Sequence, residues 1–329
     1  MMLRAAAFLL LALPQDKPGW TNVTGGVGGE TWGYAGVTLL AAVPDRDEII
    51  AGVSESGLWS SADGGKTWKK LGGSEIKHRP HQILFDPKNP RVFWVSGCYG
   101  AGIFRTIDGG ATFKRLGKLD HVDGIAVDFS DPARRTLLTG LHEQERSLHV
   151  SRDGGEIWEK VGDRLPENSN FSTDPLIFDS KTFVVNTAGW KQGKAWGIYR
   201  SADAGQTWTK VSDAGPGGRS LVAADGAVYW PVMWNAGLLR SADNGATWTR
   251  LSGPAKSSPM DLGGGRIAAL ADQQLYASSD GGTSWEKLGD PLPVKVSGAV
   301  YSPKGRAFYA WRSSDKKVSD AVFRLEVSP

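Results

Sequence analysis

The chain has 329 residues, of which 40% are hydrophobic, 22% charged and 10% aromatic, and its formal net charge is +3. That balance excludes a disordered chain, a collagen and a multi-span membrane protein, and the near-neutral charge argues against a nucleic-acid binder, which needs a basic stripe to displace counterions from phosphates. The counts of 43 glycines and 14 tryptophans imply many tight turns among heavily packed strands, and the single cysteine, Cys98, excludes an internal disulfide.

At the start of the chain, Met1 to Arg4 carries one positive charge, and Ala5 to Leu13 (AAAFLLLAL) is an unbroken apolar run ended by Pro14. Such a run rises only about 14 Å as a helix, against a hydrocarbon core of about 30 Å. Residues 1–16 are therefore expected to form a secretory signal peptide, cut near residues 12–18, and not a membrane anchor. No later segment is apolar enough for a span. A soluble, secreted or periplasmic monomer is expected, with residues 17–329 as one domain. Cys98 then reads as a small buried hydrophobe.

From residue 61 onward an eight-residue pattern, Ser-x-Asp-x-Gly-x-Thr-Trp, organises the chain. It is met as Ser61-Ala-Asp63-Gly-Gly65-Lys-Thr67-Trp68, and again around Asp203 and Asp243. Imperfect copies surround Asp108, Asp153 and Asp280. Successive aspartates are 45, 45, 50, 40 and 37 residues apart, a period that fits the four-stranded blade of a propeller. The octet has the chemistry of a hairpin turn. Asp and Ser side chains close the loop on nearby backbone, Gly supplies a positive φ, and Trp opens the next strand with a large apolar surface.

The strand after each octet repeats as well: Trp68-Lys-Lys-Leu71, Phe113-Lys-Arg-Leu116, Trp158-Glu-Lys-Val161, Trp208-Thr-Lys-Val211, Trp248-Thr-Arg-Leu251 and Trp285-Glu-Lys-Leu288. A seventh match, Trp20-Thr-Asn-Val23, stands near the N-terminus with no octet before it, whereas the C-terminal region supplies three strands around Ala299–Tyr301, Ala307–Trp311 and Val322–Leu325. The pattern predicts an all-β, seven-bladed propeller of four-stranded blades, closed by Trp20–Val23 pairing beside Val322–Leu325. Closure also hides sheet edges that would otherwise invite aggregation.

These octets are identified as Asp-box repeats, also called bacterial neuraminidase repeats. Phe85-Asp-Pro-Lys-Asn-Pro90 before a strand, and Gly102-Ile-Phe-Arg-Thr-Ile-Asp108, resemble the sortilin and xyloglucanase branch of that group and the photosystem II assembly factor propellers. The resemblance implies that the boxes lie on outer hairpins away from the central pocket, so that Asp63, Asp108, Asp153, Asp203, Asp243 and Asp280 are structural. It does not transfer a mechanism. The Arg-Ile-Pro motif of sialidases is absent, and the first blade begins Gly28-Gly-Glu30-Thr-Trp32-Gly-Tyr34. Xyloglucanases use two tandem propellers with a carboxylate from each side of the cleft, whereas this sequence has length for one.

Functional loops of propellers join the outer strand of one blade to the inner strand of the next, and the second strand to the third. On that map His78, His81 and His121 fall in inter-blade loops, His142 begins a second-to-third loop, and only His149 lies within a strand. The four loop histidines, with Asp123 and Glu143, are the candidate catalytic residues. They could hold a divalent metal, or remove a proton from a sugar carbon beside a uronate carboxylate, as propeller polysaccharide lyases do. The alternative is that polar loops simply contain histidines. No cofactor is otherwise expected. Candidate substrate-binding residues are Arg79, Tyr99, Arg219 and the loop tryptophans Trp32, Trp190, Trp196 and Trp234, whose indole faces would stack on sugar rings or else pack between blades. Arg312 falls near the same rim, and Glu30 and Asp174 join Asp123 and Glu143 as possible acid/base partners. A glycosidase pair would stand about 5–10 Å apart.

Three functions follow as alternatives. One is a propeller directed at poly- or oligosaccharide, in the form of a glycoside hydrolase. A second is a non-enzymatic propeller that binds a protein partner. The third is a polysaccharide lyase using the loop histidines.

Overall fold

A computed structural model describes residues 19–169, 174–189 and 192–327. The expected signal peptide and Trp190 lie outside the described residues. The described chain forms seven four-stranded antiparallel sheets, each with its strands in meander order. The innermost strands of blades 1 to 7 are Val37–Ala42, Arg79–Phe85, Val122–Val127, Leu176–Ile177, Leu221–Val222, Met260–Gly263 and Gly298–Ser302. In blade 7 the outer strand is Thr21–Asn22, with Thr21 opposite Arg324 and Asn22 opposite Phe323, and the Val23 amide donates to the Val322 carbonyl at 2.8 Å. The expected closure is therefore the one observed.

The packing follows from having both faces of each sheet covered, which turns the second strands into near-continuous apolar runs. Phe93-Trp94-Val95 is an example. Phe93 and Val95 pack with Ile50 and Leu58 of blade 1, while Trp94 points the other way, to Ile125 and Leu137 of blade 3. Among the described residues there are seven such clusters, one at each blade–blade contact. The aromatic residue that ends each box joins the cluster shared with the preceding blade: Trp158 sits with Trp94 and Leu116 of blade 2, and Trp68 with Val23 and Val322 of blade 7.

The boxes close as their chemistry predicts. In the first, Ser61 Oγ donates to Asp63 Oδ1 at 2.8 Å and accepts the Gly65 amide at 2.8 Å. Thr67 gives its amide to Asp63 Oδ1 at 2.9 Å and its hydroxyl to Oδ2 at 2.6 Å. The same bonds recur at Asp203, Asp243 and Asp280. At Asp153 the residue four places on is Ile157, so only its amide is available. Gly65 has φ 88°, and a Cβ there would come within 2.7 Å of Val23, so the turn needs glycine for its conformation and for the approach of the closing strand.

Candidate functional site

The rim of the channel is built from two recurring backbone positions. The residue just before an inner strand, and a residue in the turn between second and third strands, adopt the left-handed conformation that side-chain-bearing residues seldom take. At the first position stand His78, His121 and Asp174 (φ 60°, 55° and 50°); at the second stand Glu55, Tyr99 and Glu143 (φ 62°, 55° and 54°), with Trp234 (φ 60°) in the corresponding turn of blade 5. Backbone bonds tie the positions together. The Glu55 amide donates to the His78 carbonyl at 2.8 Å, and the His142 amide to that of His121 at 2.5 Å. These loops therefore converge because the repeat fixes their ends.

Tyr99 is the hub. Its ring lies 5.1 Å from His142, 5.9 Å from Tyr34 and 6.3 Å from His121, each edge to face, and the Arg79 guanidinium stands 5.8 Å from it and 5.6 Å from Tyr34. Beside this group is a cavity of about 350 Å³, lined by Tyr34, Ser54, Glu55, His78, Arg79 and Tyr99. His78 Nδ1 is 3.2 Å from Glu55 Oε1.

A second layer lies deeper. Asp123, 6% exposed, accepts from His142 Nδ1 at 2.7 Å and from the Cys98 thiol at 3.2 Å, all on Oδ1. The far nitrogen of His142, Nε2, faces Tyr99 Oη at 3.3 Å and Glu143 Oε1 at 3.5 Å. Burial alone would raise the Asp123 carboxyl, but the His142 hydrogen bond, with the His142 charge and the Cys98 hydrogen bond beside it, outweighs it and holds the group below its usual range. The same hydrogen bond raises His142. His81 Nδ1 donates to the Asp123 carbonyl at 2.8 Å, and burial together with the Arg219 charge pushes its pKa down to about 4, so it is neutral at physiological pH.

Arg219 enters from blade 5, donates to the His81 carbonyl of blade 2, and stands 3.7 Å from Asp174 Oδ1 of blade 4. Blades 2 and 5 are not neighbours in the ring, so this side chain crosses the channel. Burial raises the Asp174 carboxyl, with Arg219 and the Ser220 amide and hydroxyl opposing.

The sequence map needs correction at His81, which is not in an inter-blade loop but inside the inner strand of blade 2; Asp123, assigned to no element by the sequence, sits in the inner strand of blade 3. The cause is the early start of both strands, at Arg79 and Val122, directly after the left-handed residue. Trp196 is only 6% exposed and lies against Gly215, 5.2 Å from Trp234; Trp234, 64% exposed, faces outward. Trp32 is half-buried, with Nε1 donating to the Val27 carbonyl at 3.3 Å. Arg312 is paired with Asp320 at 2.6 Å, and Glu30, fully open, is near Lys317 at 3.6 Å. Sequence reasoning did not place Tyr34, Ser54, Glu55 or Cys98 in the site. Glu55 had a signal, because Ser54-Glu55-Ser56 occupies the same turn as Cys98-Tyr99-Gly100 and His142-Glu143-Gln144.

His81 Nδ1, Cys98 Sγ and Asp123 Oδ1 lie within 4.8 Å of one another, a donor set with the chemistry of a zinc site. The positive charge beside the set opposes a cation there: an Arg219 guanidinium nitrogen is 3.1 Å from His81 Nδ1, while the Cys98 thiol donates to Asp123 Oδ1 at 3.2 Å. The set reads as a hydrogen-bonded cluster with the arginine as its cation.

Fold and boxes together define an Asp-box seven-bladed β-propeller with a polar, aromatic-lined channel mouth, and the chain is similar in sequence to two xyloglucanases. It is 25% identical over 212 residues to a probable oligoxyloglucan-reducing end-specific xyloglucanase of Neosartorya fischeri, covering 60% of this chain and 25% of the relative. It is also 25% identical over 236 residues to a Paenibacillus xyloglucanase, covering 59% and 23%. The chain thus spans about a quarter of the length of these curated relatives. Among solved structures, YCF48 bound to D1 peptide superposes with a TM-score of 0.57 at 17% identity, over 95% of this chain and 98% of that one. No protein-family model matches the chain. Among the described residues no helix is long and apolar enough to cross a membrane.

Proposed function

We propose that this propeller is a carbohydrate-active enzyme whose proton-transfer centre is the Asp123–His142–Tyr99 chain at the channel mouth. The observation that carries the reading is that chain: a buried carboxylate holds one imidazole nitrogen at 2.7 Å and leaves the other 3.3 Å from a half-open phenol. A carboxylate that orients an imidazole is the arrangement general acid–base catalysis needs. The relation to xyloglucanases supports carbohydrate as the substrate class, and the open faces of Tyr34, Tyr99 and Trp234 suit sugar rings. Hydrolysis by a carboxylate pair is less well served, because Asp123 and Asp174 are enclosed and already bonded, and Glu30 is engaged with Lys317. The leader-like residues 1–16 support action outside the cytoplasm.

A purely binding role is the second reading, favoured by the likeness over 95% of this chain to a propeller solved with a peptide. The two are separated by assaying the purified protein on a panel of poly- and oligosaccharides, scoring new reducing ends. The expected result is turnover that falls by about 100-fold or more in His142→Ala, with the protein still folded although its melting temperature drops because buried Asp123 loses its partner. Absence of turnover on every glycan, together with saturable binding of a peptide, would decide for the second reading.

A further inference from the structure

Arg79 has no ion pair and no side-chain hydrogen bond among the described residues, and its Nε is buried without a partner. Its guanidinium is held against two tyrosines, Tyr34 and Tyr99, at 5.6 and 5.8 Å, which fixes its plane without neutralising it. Ser54, 2% exposed, lines the same cavity, and its Oγ also has no partner. Buried polar groups are almost always bonded, so two orphaned groups in one cavity wall mark a place where an acceptor belongs. A guanidinium and a hydroxyl call for a small planar anion, for which a carboxylate is the matching partner. A dianion is disfavoured, since the Glu55 carboxylate stands in the same wall.

Tyr99 belongs both to this cavity and to the proton-transfer chain through His142. A carboxylate seated on Arg79 therefore brings the carbon that bears it beside Tyr99 and His142. We propose, resting on the carbohydrate reading above, that the substrate is a 4-linked uronate polysaccharide and that the site cleaves it by β-elimination. His142 Nε2 takes the proton from C5, made acidic when the Arg79 cation neutralises the adjoining carboxylate and the Ser54 hydroxyl donates to it. The C5–H electron pair becomes the C4=C5 double bond, the C4–O4 bond breaks, and O4 leaves with the Tyr99 proton. The proton on His142 then returns to the Tyr99 phenolate along their 3.3 Å contact, so the site is restored with no water, metal or redox partner consumed.

The test incubates the full-length protein with polygalacturonate, alginate and neutral xyloglucan, following reducing ends and the ultraviolet absorbance of the unsaturated uronate. The expected result is absorbance from at least one polyuronate and none from xyloglucan. Arg79→Gln should raise KM by about tenfold or more, and Tyr99→Phe should lower kcat by about 100-fold with KM little changed, both variants melting as the parent does. Should either variant fail to fold, Ser54→Ala, expected to raise KM for the polyuronate alone, carries the same test. Reducing ends without absorbance, or action on xyloglucan but on neither polyuronate, would overturn the elimination while leaving the carbohydrate reading intact. Absence of turnover and of binding on all three would overturn both.

Discussion

Aspartate plays three roles in this molecule, and its surroundings decide which. In the boxes, exposed carboxylates collect a threonine or serine hydroxyl, its amide and a serine hydroxyl; Asp63, Asp203, Asp243 and Asp280 are thereby lowered from 3.8 to about 2. Asp123 is enclosed and ionised through His142, whereas Asp174 is enclosed and raised by burial. A pH dependence follows from the Asp123–His142 pair. The groups facing His142 are Asp123 and Glu143, which raise it, Arg79, which opposes, and the ring of Tyr99. Because its folded-state pKa lies above 6.5, its stabilising contribution is complete below that value and is lost as pH rises through the folded pKa. The base form appears over that same rise. Activity should therefore climb with pH through a midpoint above 6.5, and Asp123→Asn should move the midpoint down while slowing the reaction. A rate that stays flat from about pH 6 to 9 would contradict the role of His142.

At the scale of single strands, the middle of each blade carries the stability. Phe183, in the second strand of blade 4, is fully buried between blades 3 and 4 with Leu138, Val150 and Val185. Phe183→Ala should cost about 3–5 kcal/mol in denaturant unfolding, from lost burial plus the cavity left behind. Thr209→Ala, on the exposed outer strand of the same blade, should stay within about 0.5 kcal/mol of the parent. Equal losses at the two positions would mean that the blade interface is not where the ring is held. The outer strands read as two polar residues followed by an apolar one, as in Lys69-Lys70-Leu71 and Thr209-Lys210-Val211, and the polar pair is exposed while the apolar residue is half-buried. Inner strands were harder to read: Leu176–Ile177 and Leu221–Val222 are two residues long and carry no periodic signal.

For the molecule as a whole, the ring depends on one non-local joint. Thr24 Oγ1 accepts the amides of Ala321 and Val322 at 2.9 and 2.8 Å, all buried, and Asn22 Nδ2 donates to the Ser319 carbonyl at 2.7 Å. Thr24→Val keeps the shape and orphans two buried amides, so it should destabilise by about 2–4 kcal/mol, whereas Thr24→Ser should be near neutral. Limited proteolysis should then cut first near the joint; a Thr24→Val protein as stable as its parent would show that closure lies elsewhere.

The sequence by itself determined the blade number, the role of the six boxes and the pairing of Trp20–Val23 with the C-terminal strands. These are local or periodic properties: a turn closes on its own side chains, and a strand-length repeat can be counted. It also singled out His78, Tyr99, His121 and His142, which the structure brings close together at the rim. Only the tertiary structure decided that Tyr99 is the hub, that Arg219 reaches from blade 5 to His81 in blade 2, and that Ser54 and Arg79 share an unsatisfied wall. Those contacts join residues up to 138 positions apart. Their distances depend on ring curvature and on where each inner strand begins, and no spacing within the chain encodes either.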